Sequence, residues 1–305
     1  MKINNASARV PVIQGPTASG KTAVAVWLAE LCGGEVISAD SRQFYREMSI
    51  GTAKPDAAEM RGIPHHFINS LSVTDEYTAG RFEAEAVALA DEIIARGKTP
   101  IVAGGSGLYV KAFCEGLDDL PQDDSIRDEL KAIFAEKGIE PLQEMMRNLD
   151  PAYYAEADVQ NPVRLMRGIE LVRLSGKPMS ALRAGKKKQR NFTPVKIGLE
   201  LPRKELYARI DARVDAMIDG GLVAEARALH ALKYRQAMQT VGYRELFAHF
   251  EGEINLDRAV ELIKRNTRRY AKRQLTWLGN DPEIKMFHPD DKEGMARYAG
   301  LAKSL

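Results

Sequence analysis

The chain has little cysteine. Only Cys32 and Cys114 occur in its 305 residues, too few for a disulfide framework or a cysteine-bound zinc, so a reducing compartment, the cytoplasm by default, is expected. Long apolar runs are missing too. No stretch approaches the ~18 residues of a membrane span, and the opening MKINNASAR lacks the apolar segment of a secretory leader, so neither insertion nor export is expected. Internal repeats and low-complexity tracts are absent, which excludes solenoid and fibrous architectures. His65-His66 has no neighbour at metal-ligand spacing, and a pair of this kind in a loop reads as structural rather than as a metal site.

Net charge is also small, +2, but it is unevenly spread. Residues 161–190 carry nine basic side chains (Arg164, Arg167, Arg173, Lys177, Arg183, Lys186, Lys187, Lys188, Arg190) against Glu170, a local +8. Residues 258–273 carry seven against Glu261, a local +6, which leaves −12 for the remainder. At about 100° per residue, Lys264, Arg268 and Lys272 with Arg265, Arg269 and Arg273 cover one half of a helix, leaving Ile263, Tyr270 and Trp277 for the core. Solvated helices usually mix signs. This one barely does in its own sequence, so both patches read as grips on a polyanion such as nucleic acid.

Hydrophobic patterning supplies the frame. Val10 to Ile13 is a short β-like run, Lys21 to Leu31 a helix ended by Gly33-Gly34, and Glu35 to Ala39 a second strand stopping at Asp40. A helix over Tyr77 to Arg96 and a strand over Thr99 to Ala103 follow. Strands alternating with helices predict an α/β fold, a doubly wound parallel sheet. The alternation breaks after Leu117, where only helical patterns run to about Phe192: Ser125 to Asp128 resembles a capping box, and Asn161-Pro162 starts a helix. Tyr153-Tyr154 reads as part of this block's core. Val195 to Leu201 resumes the sheet, and a helix with Leu206, Ile210, Val214 and Met217 on one face ends at Gly220-Gly221. The expected organisation is a P-loop core in residues 1–117 and 193–305, the second part carrying the basic C-terminal helix, with an all-helical insertion over 118–192.

Gly15, four residues, then Gly20-Lys21-Thr22 match the complete phosphate-loop pattern of nucleotide-binding and ATP-binding proteins, between a strand and a helix. Gly15, Thr17, Ala18, Ser19 and Gly20 would wrap backbone N–H groups around phosphate oxygens, with Lys21 adding a cation and Thr22 a ligand for Mg²⁺. In a parallel sheet the strand ends share one edge, so this loop should meet Asp40-Ser41-Arg42-Gln43 and Gly104-Gly105-Ser106-Gly107 there. An acid, an alcohol and a phosphate cradle in one crevice can serve a transferase or a kinase. Asp40 can be a base, a metal ligand or a turn cap, and Ser106 a catalytic hydroxyl or a turn residue.

Taken together, GPTASGKT (Gly15 to Thr22), SADSRQ (Ser38 to Gln43), IGTAKP (Ile50 to Pro55), GGSGLY (Gly104 to Tyr109), VGYREL (Val241 to Leu246) and RRYAKRQLTW (Arg268 to Trp277) resemble the tRNA dimethylallyltransferase (tRNA isopentenyltransferase) family, in order along nearly the whole chain. The resemblance implies transfer of a dimethylallyl group from dimethylallyl diphosphate to N6 of the adenosine immediately 3′ of the anticodon. It assigns Asp40 as the base, Ser106 (threonine in most members) to the oxygen bridging carbon and diphosphate, and Arg209, through the weaker match LYARI, to the leaving diphosphate. For tRNA it implies contacts from Asp40, Ser41, Arg42, Gln43 and Ser106 in the cleft. In the insertion the contacts are Arg127 and Gln160, Asn161, Pro162, Val163, Arg164 and Arg167, and near the C-terminus Thr240, Val241, Gly242, Tyr243, Arg244 and Glu245, with Arg268, Lys272 and Arg273. The implied partners are the anticodon stem-loop of tRNA and dimethylallyl diphosphate, with Mg²⁺, no membrane, and a monomeric protein. Leu278 to Asp281 departs from the family's usual continuation, and no zinc finger follows because no cysteine lies beyond Cys114. The competing readings are a prenyltransferase acting on adenine nucleotides, a P-loop small-molecule kinase, and an RNA-binding module without turnover.

Overall fold

The computed structural model describes residues 7–118, 120–182 and 187–301. It divides into two compact units, Met1–Glu115 with Gln189–Leu305, and Gly116–Lys188.

The first unit is built on a six-stranded sheet. In chain order it contains β1 (Ala8–Gln14), α1 (Lys21–Cys32), β2 (Glu35–Ser38), α2 (Ala57–Met60), β3 (His65–His66), α3 (Ala79–Ala95), β4 (Pro100–Gly104) and α4 (Gly107–Glu115). The second unit holds α5 (Asp124–Lys137), α6 (Glu140–Leu149), α7 (Pro151–Glu156), α8 (Pro162–Ser175) and α9 (Met179–Leu182). The first unit then resumes with β5 (Phe192–Leu199), α10 (Arg203–Asp219), α11 (Leu222–Leu229), α12 (Tyr243–Phe250), α13 (Leu256–Gly279), β6 (Lys285–Phe287) and α14 (Lys292–Ala299).

Strand order is β3-β2-β4-β1-β5-β6, and each pairing is parallel. Period-two alternation divides the apolar side chains between two faces. Val12, Ile37 and Val102 pack against α3 and α4 through Phe82, Ala86, Val110 and Phe113. Their chain neighbours Ile13, Val36 and Ile101 pack on the other face against α1 and α14 through Val24, Leu28, Met295 and Ala299. Each fully buried side chain of this size contributes about 1.5–3 kcal/mol relative to exposure. The strands are apolar on both sides because helices cover both, as a doubly wound sheet requires.

That covering also positions the site. β1 and β4 are neighbours, with Gln14 opposite Gly104, yet the helix after β1 lies on one face and the helix after β4 on the other. Two adjacent strands whose connections part in this way leave a crevice at their carboxyl ends.

Three expectations change here. His65-His66 is the edge strand β3, where His66 Nε2 meets the buried Glu35 carboxylate at 2.8 Å. Phe192 belongs to the sheet, paired with Ala8 and stacked on Phe113, so the insertion ends at Lys188 instead of residue 192. α5 is capped by Asp123, whose carboxylate accepts from the Ile126 N–H at 3.1 Å, and not by Ser125. The second unit has a core of its own around Leu130, Leu142, Met146, Tyr153, Leu165 and Ile169.

Candidate active site

The phosphate loop starts where β1 ends. Gly20 caps α1 at φ +91°, a left-handed conformation that glycine alone adopts cheaply. Ala18, at φ +65°, holds a similar conformation with a side chain, at a cost of order 1–2 kcal/mol. Such strain persists where the surroundings over-determine a binding loop. The Lys21 ammonium folds back over the loop and donates to the Gly15 and Pro16 carbonyls at 3.0 and 2.8 Å. Burial lowers its pKa to about 8, against the opposing pull of the Asp40 carboxylate and with a smaller push from the Arg213 guanidinium. A desolvated ammonium facing an arginine and an acid is poised for an added anion. The buried Ser19 hydroxyl has no hydrogen-bond partner among the described residues. Thr22, in the first turn of α1, makes no side-chain hydrogen bond among them either, and they contain no cluster of three or more acidic, histidine or cysteine ligands. A single hydroxyl beside a phosphate cradle fits Mg²⁺ that is carried mainly by diphosphate oxygens and water, the usual arrangement for this ion.

Asp40 follows β2. One carboxylate oxygen accepts from the Arg42 N–H at 3.0 Å, an Asx turn that fixes the side chain beside the loop. Ser106, after β4, accepts from the Ser41 N–H at 2.9 Å and donates to the Ser41 hydroxyl at 3.0 Å. Gln43 donates to the Thr52 and Ala53 carbonyls at 3.3 and 3.2 Å. The structure therefore brings Asp40, Ser41, Arg42, Gln43 and Ser106 to one rim with Lys21.

α13 closes the opposite wall. Tyr270 and Trp277, expected in the core, are 37% and 43% exposed. The cleft and the Asp40 charge push the Tyr270 phenol up to about 12, with Arg42 opposing, so it remains a donor at neutral pH. Trp277 packs on Gly107. The buried positions of α13 are instead Ala259, Ile263, Ala271, Gln274 and Leu278.

Arg209 does not reach the loop. It is exposed and pairs with Glu205 at 2.8 Å. Arg213, one turn later, approaches Thr17 Oγ1 to 3.5 Å and is electrostatically coupled to Asp40, its own pKa lowered mainly by burial. A signal existed in the sequence: relative to Leu206, Arg213 lies about 20° away around the helix and Arg209 about 60°. Glu225 was missed as well. Its carboxylate accepts from the N–H groups of Ser49, Ile50 and Gly51 at 2.8–2.9 Å and from the Tyr243 hydroxyl at 2.6 Å, fixing the IGTAKP loop that holds Gln43.

The cationic surfaces are more paired than the sequence suggests. On α13, Lys264 meets Asp215 of α10 at 2.6 Å and Arg268 pairs with Asp211, whereas Lys272 and Arg273 are exposed. In the second unit, Arg127 and Arg167 both grip the buried Glu170, at 2.8 and 2.7 Å. Asn161 is spent as the N-cap of α8, where Pro162 takes an early helical position, while Gln160, Val163 and Arg164 are exposed. The Arg190 side chain is largely buried, paired with Glu83 at 3.0 Å and donating to the Phe113 and Ala112 carbonyls at 2.9 and 2.8 Å. Arg183 and Lys186 lie outside the described residues. In VGYREL, Tyr243 and Glu245 are buried, Glu245 accepting from the Gly242 N–H at 2.8 Å and from Asn266 at 2.8 Å. Thr240 bonds the Ala237 carbonyl, Val241 is half-buried, and Arg244 is exposed. For Lys264, Arg268, Arg127 and Arg190 the neutralising acid lies far away in sequence, whereas Arg167 meets Glu170 of its own helix.

A parallel sheet with a phosphate loop after β1 and an acid and a hydroxyl at the next strand ends defines an enzyme of the P-loop-type fold. The sequence profile of a family described as IPP transferase matches residues 43–281. A tRNA dimethylallyltransferase of Cytophaga hutchinsonii is 47% identical over 283 residues, 92% of this chain and 93% of that protein. Solved structures agree: a full-length tRNA isopentenylpyrophosphate transferase from Bacillus halodurans has a TM-score of 0.70 at 38% identity, over 97% of this chain and 96% of its own. A eukaryotic dimethylallyltransferase, solved acting on tRNA, has a TM-score of 0.78 at 27% identity, over 97% of this chain and 78% of its own. The chain belongs to the IPP transferase family. No helix among the described residues is long and apolar enough to cross a membrane.

Proposed function

We propose that this chain is a tRNA dimethylallyltransferase that moves the dimethylallyl group of dimethylallyl diphosphate onto N6 of the adenosine immediately 3′ of the anticodon. The observation that carries this reading is the meeting of Asp40, Ser106 and the Lys21 loop at one rim. Family membership supports the tRNA substrate.

The N6 nitrogen forms a bond to the first carbon of the prenyl chain as the bond from that carbon to the diphosphate oxygen breaks. An exocyclic amine is a weak nucleophile, and Asp40 takes its proton, help worth ~10²–10⁴-fold. The leaving diphosphate departs with the bonding pair. Loop N–H groups, Lys21 and Arg213 meet the charge that develops on it, in a cleft where such contacts act with little solvent screening. Ser106, held in place by the Ser41 N–H, would turn its one O–H from the Ser41 hydroxyl to the bridging oxygen when the donor binds. Thr22 would hold Mg²⁺, which supplies further neutralisation of the diphosphate. The target base must leave the loop stack to enter the cleft. Lys272, Arg273, Arg164 and Arg244 are among the exposed cations offered to the RNA backbone. The protein works as a monomer in the cytoplasm on this reading.

The test is incubation with Mg²⁺, dimethylallyl diphosphate and an anticodon stem-loop, and in parallel with adenine nucleotides, followed by mass spectrometry. Addition of one prenyl unit to the stem-loop is expected. Prenylation of nucleotides alone would sink the tRNA assignment. Asp40→Asn should lower turnover at least ~10²-fold while stem-loop affinity stays within about threefold.

A further inference from the structure

Gln274 sits on the inner side of α13, 8% exposed, in the same turns that present Lys272 and Arg273 outward. Its carboxamide spans the crevice. Oε1 accepts from the Thr17 N–H at 2.8 Å, and Nε2 donates to the Gly105 carbonyl at 2.9 Å. Thr17 lies in the phosphate loop after β1, and Gly105 immediately precedes Ser106 after β4. These are the two connections that leave the sheet on opposite faces. One planar group thus joins the anion cradle to the hydroxyl's loop.

The neighbourhood is shaped for this amide. A Cβ on residue 105 would stand 2.3 Å from Gln274 Nε2, so only glycine lets the amide come this close, while Lys21 Nζ at 3.6 Å would be in ordinary contact. Residue chemistry is equally restrictive. Thr17 N–H needs an acceptor and Gly105 C=O a donor, and glutamine offers both from one rigid head. Glutamate would turn a second acceptor on the carbonyl and add negative charge near the cradle. Methionine has the same reach and neither function.

We propose that Gln274 is a positioning residue: its amide sets the separation between the anion cradle and the Ser106 hydroxyl, and hence the alignment of the bond that breaks in the donor. This rests on the prenyl-transfer reading for its catalytic consequence, but its effect on anion binding does not. Misplacement of a reacting centre by about 1 Å can cost ~10²-fold in rate.

The experiment uses the full chain and Gln274→Met, Gln274→Glu and Gly105→Ala, the last displacing the amide while leaving it in place chemically. Four quantities are measured: affinity for inorganic diphosphate with Mg²⁺ by calorimetry, the single-turnover rate of transfer at saturating substrates, stem-loop affinity, and the thermal midpoint. Gln274→Met should bind diphosphate about 10-fold more weakly and transfer ~10²-fold more slowly, with stem-loop affinity and midpoint unchanged. Gly105→Ala should follow it, and Gln274→Glu should be worse in diphosphate affinity. Wild-type diphosphate affinity and transfer rate in Gln274→Met would overturn the proposal, as would losses that only track a fallen midpoint. Failure of the unaltered chain to prenylate the stem-loop would remove the functional reading alone, since the diphosphate measurement still decides whether Gln274 holds the cradle.

Discussion

Ser106 and Ser41 grip each other twice: the Ser106 hydroxyl accepts from the Ser41 N–H at 2.9 Å and donates to the Ser41 hydroxyl at 3.0 Å. The pair ties the loop after β4 to the loop after β2 and so holds the Ser106 hydroxyl next to the residue that follows Asp40. Ser106→Ala removes the acceptor and leaves a half-buried N–H unpaired, a cost of about 1–3 kcal/mol. Turnover should fall about 10- to 100-fold, whereas Ser106→Thr keeps the hydroxyl and should stay within about threefold. Single-turnover rates decide, and an active alanine variant would remove the hydroxyl from the reaction.

Arg213 and Arg209 are one turn apart and should behave differently. Arg213 reaches the phosphate loop, and Arg209 is tied to Glu205 on the outside. Arg213→Ala should raise the donor KM and lower kcat, together ~10²–10³-fold, the scale for losing one stabiliser of developing charge. Arg209→Ala should change kcat/KM by less than about threefold. Steady-state kinetics of the two variants make the comparison, and the reverse ranking would return the role to Arg209.

Lys21 supplies a pH prediction. Burial lowers its pKa to about 8 from 10.5, so the free protein loses this cation as pH rises through about 8. kcat/KM for the donor should then decline by up to tenfold per pH unit. Diphosphate raises the lysine's proton affinity, so binding above pH 8 should take up a proton, visible as a heat that depends on the buffer's ionisation enthalpy. The stability sign is opposite. Between about 8 and 10.5 the unfolded chain binds the proton that the folded chain has released, so stability of the free protein rises with pH in that window and the gain is lost as pH falls through about 8. Buffer-independent binding heats above pH 8 would show Lys21 still protonated there.

Salt dependence separates the exposed cations from the paired ones. Each phosphate contact contributes about 0.7–0.9 to the slope of log affinity against log salt. Lys272→Ala should flatten the slope for stem-loop binding by about that amount. Arg268→Ala should flatten it by less than half as much, because Asp211 already neutralises the guanidinium. Equal flattening in the two variants would mean that the Asp211 pair does not withhold Arg268 from RNA.

Much of the fold was legible because its signals are local. Val10 to Ile13, Glu35 to Ala39 and Thr99 to Ala103 are short runs apolar on both sides, and buried strands between helices need that pattern. The phosphate loop was legible because its function is backbone geometry, encoded by Gly15 and Gly20 at fixed spacing. β3 and β6 were not legible: two or three residues at a sheet edge have no period to read. The exposure of Tyr270 and Trp277 was hidden for a different reason. An aromatic beside a buried stripe reads as core unless the shape of the facing wall is known.

Composition and residue order alone marked out the class of sheet, a candidate anion cradle, the candidate acid and hydroxyl, and the excess of cations near the C-terminus. Spacing along one strand or helix suffices for each. Which arginine faces the cradle, which cations keep a free charge, and that one glutamine bridges two loops were decided only by folding. Those outcomes depend on carboxylates and carbonyls that are brought within about 3 Å by strands and helices distant in the chain, and no local pattern carries that distance.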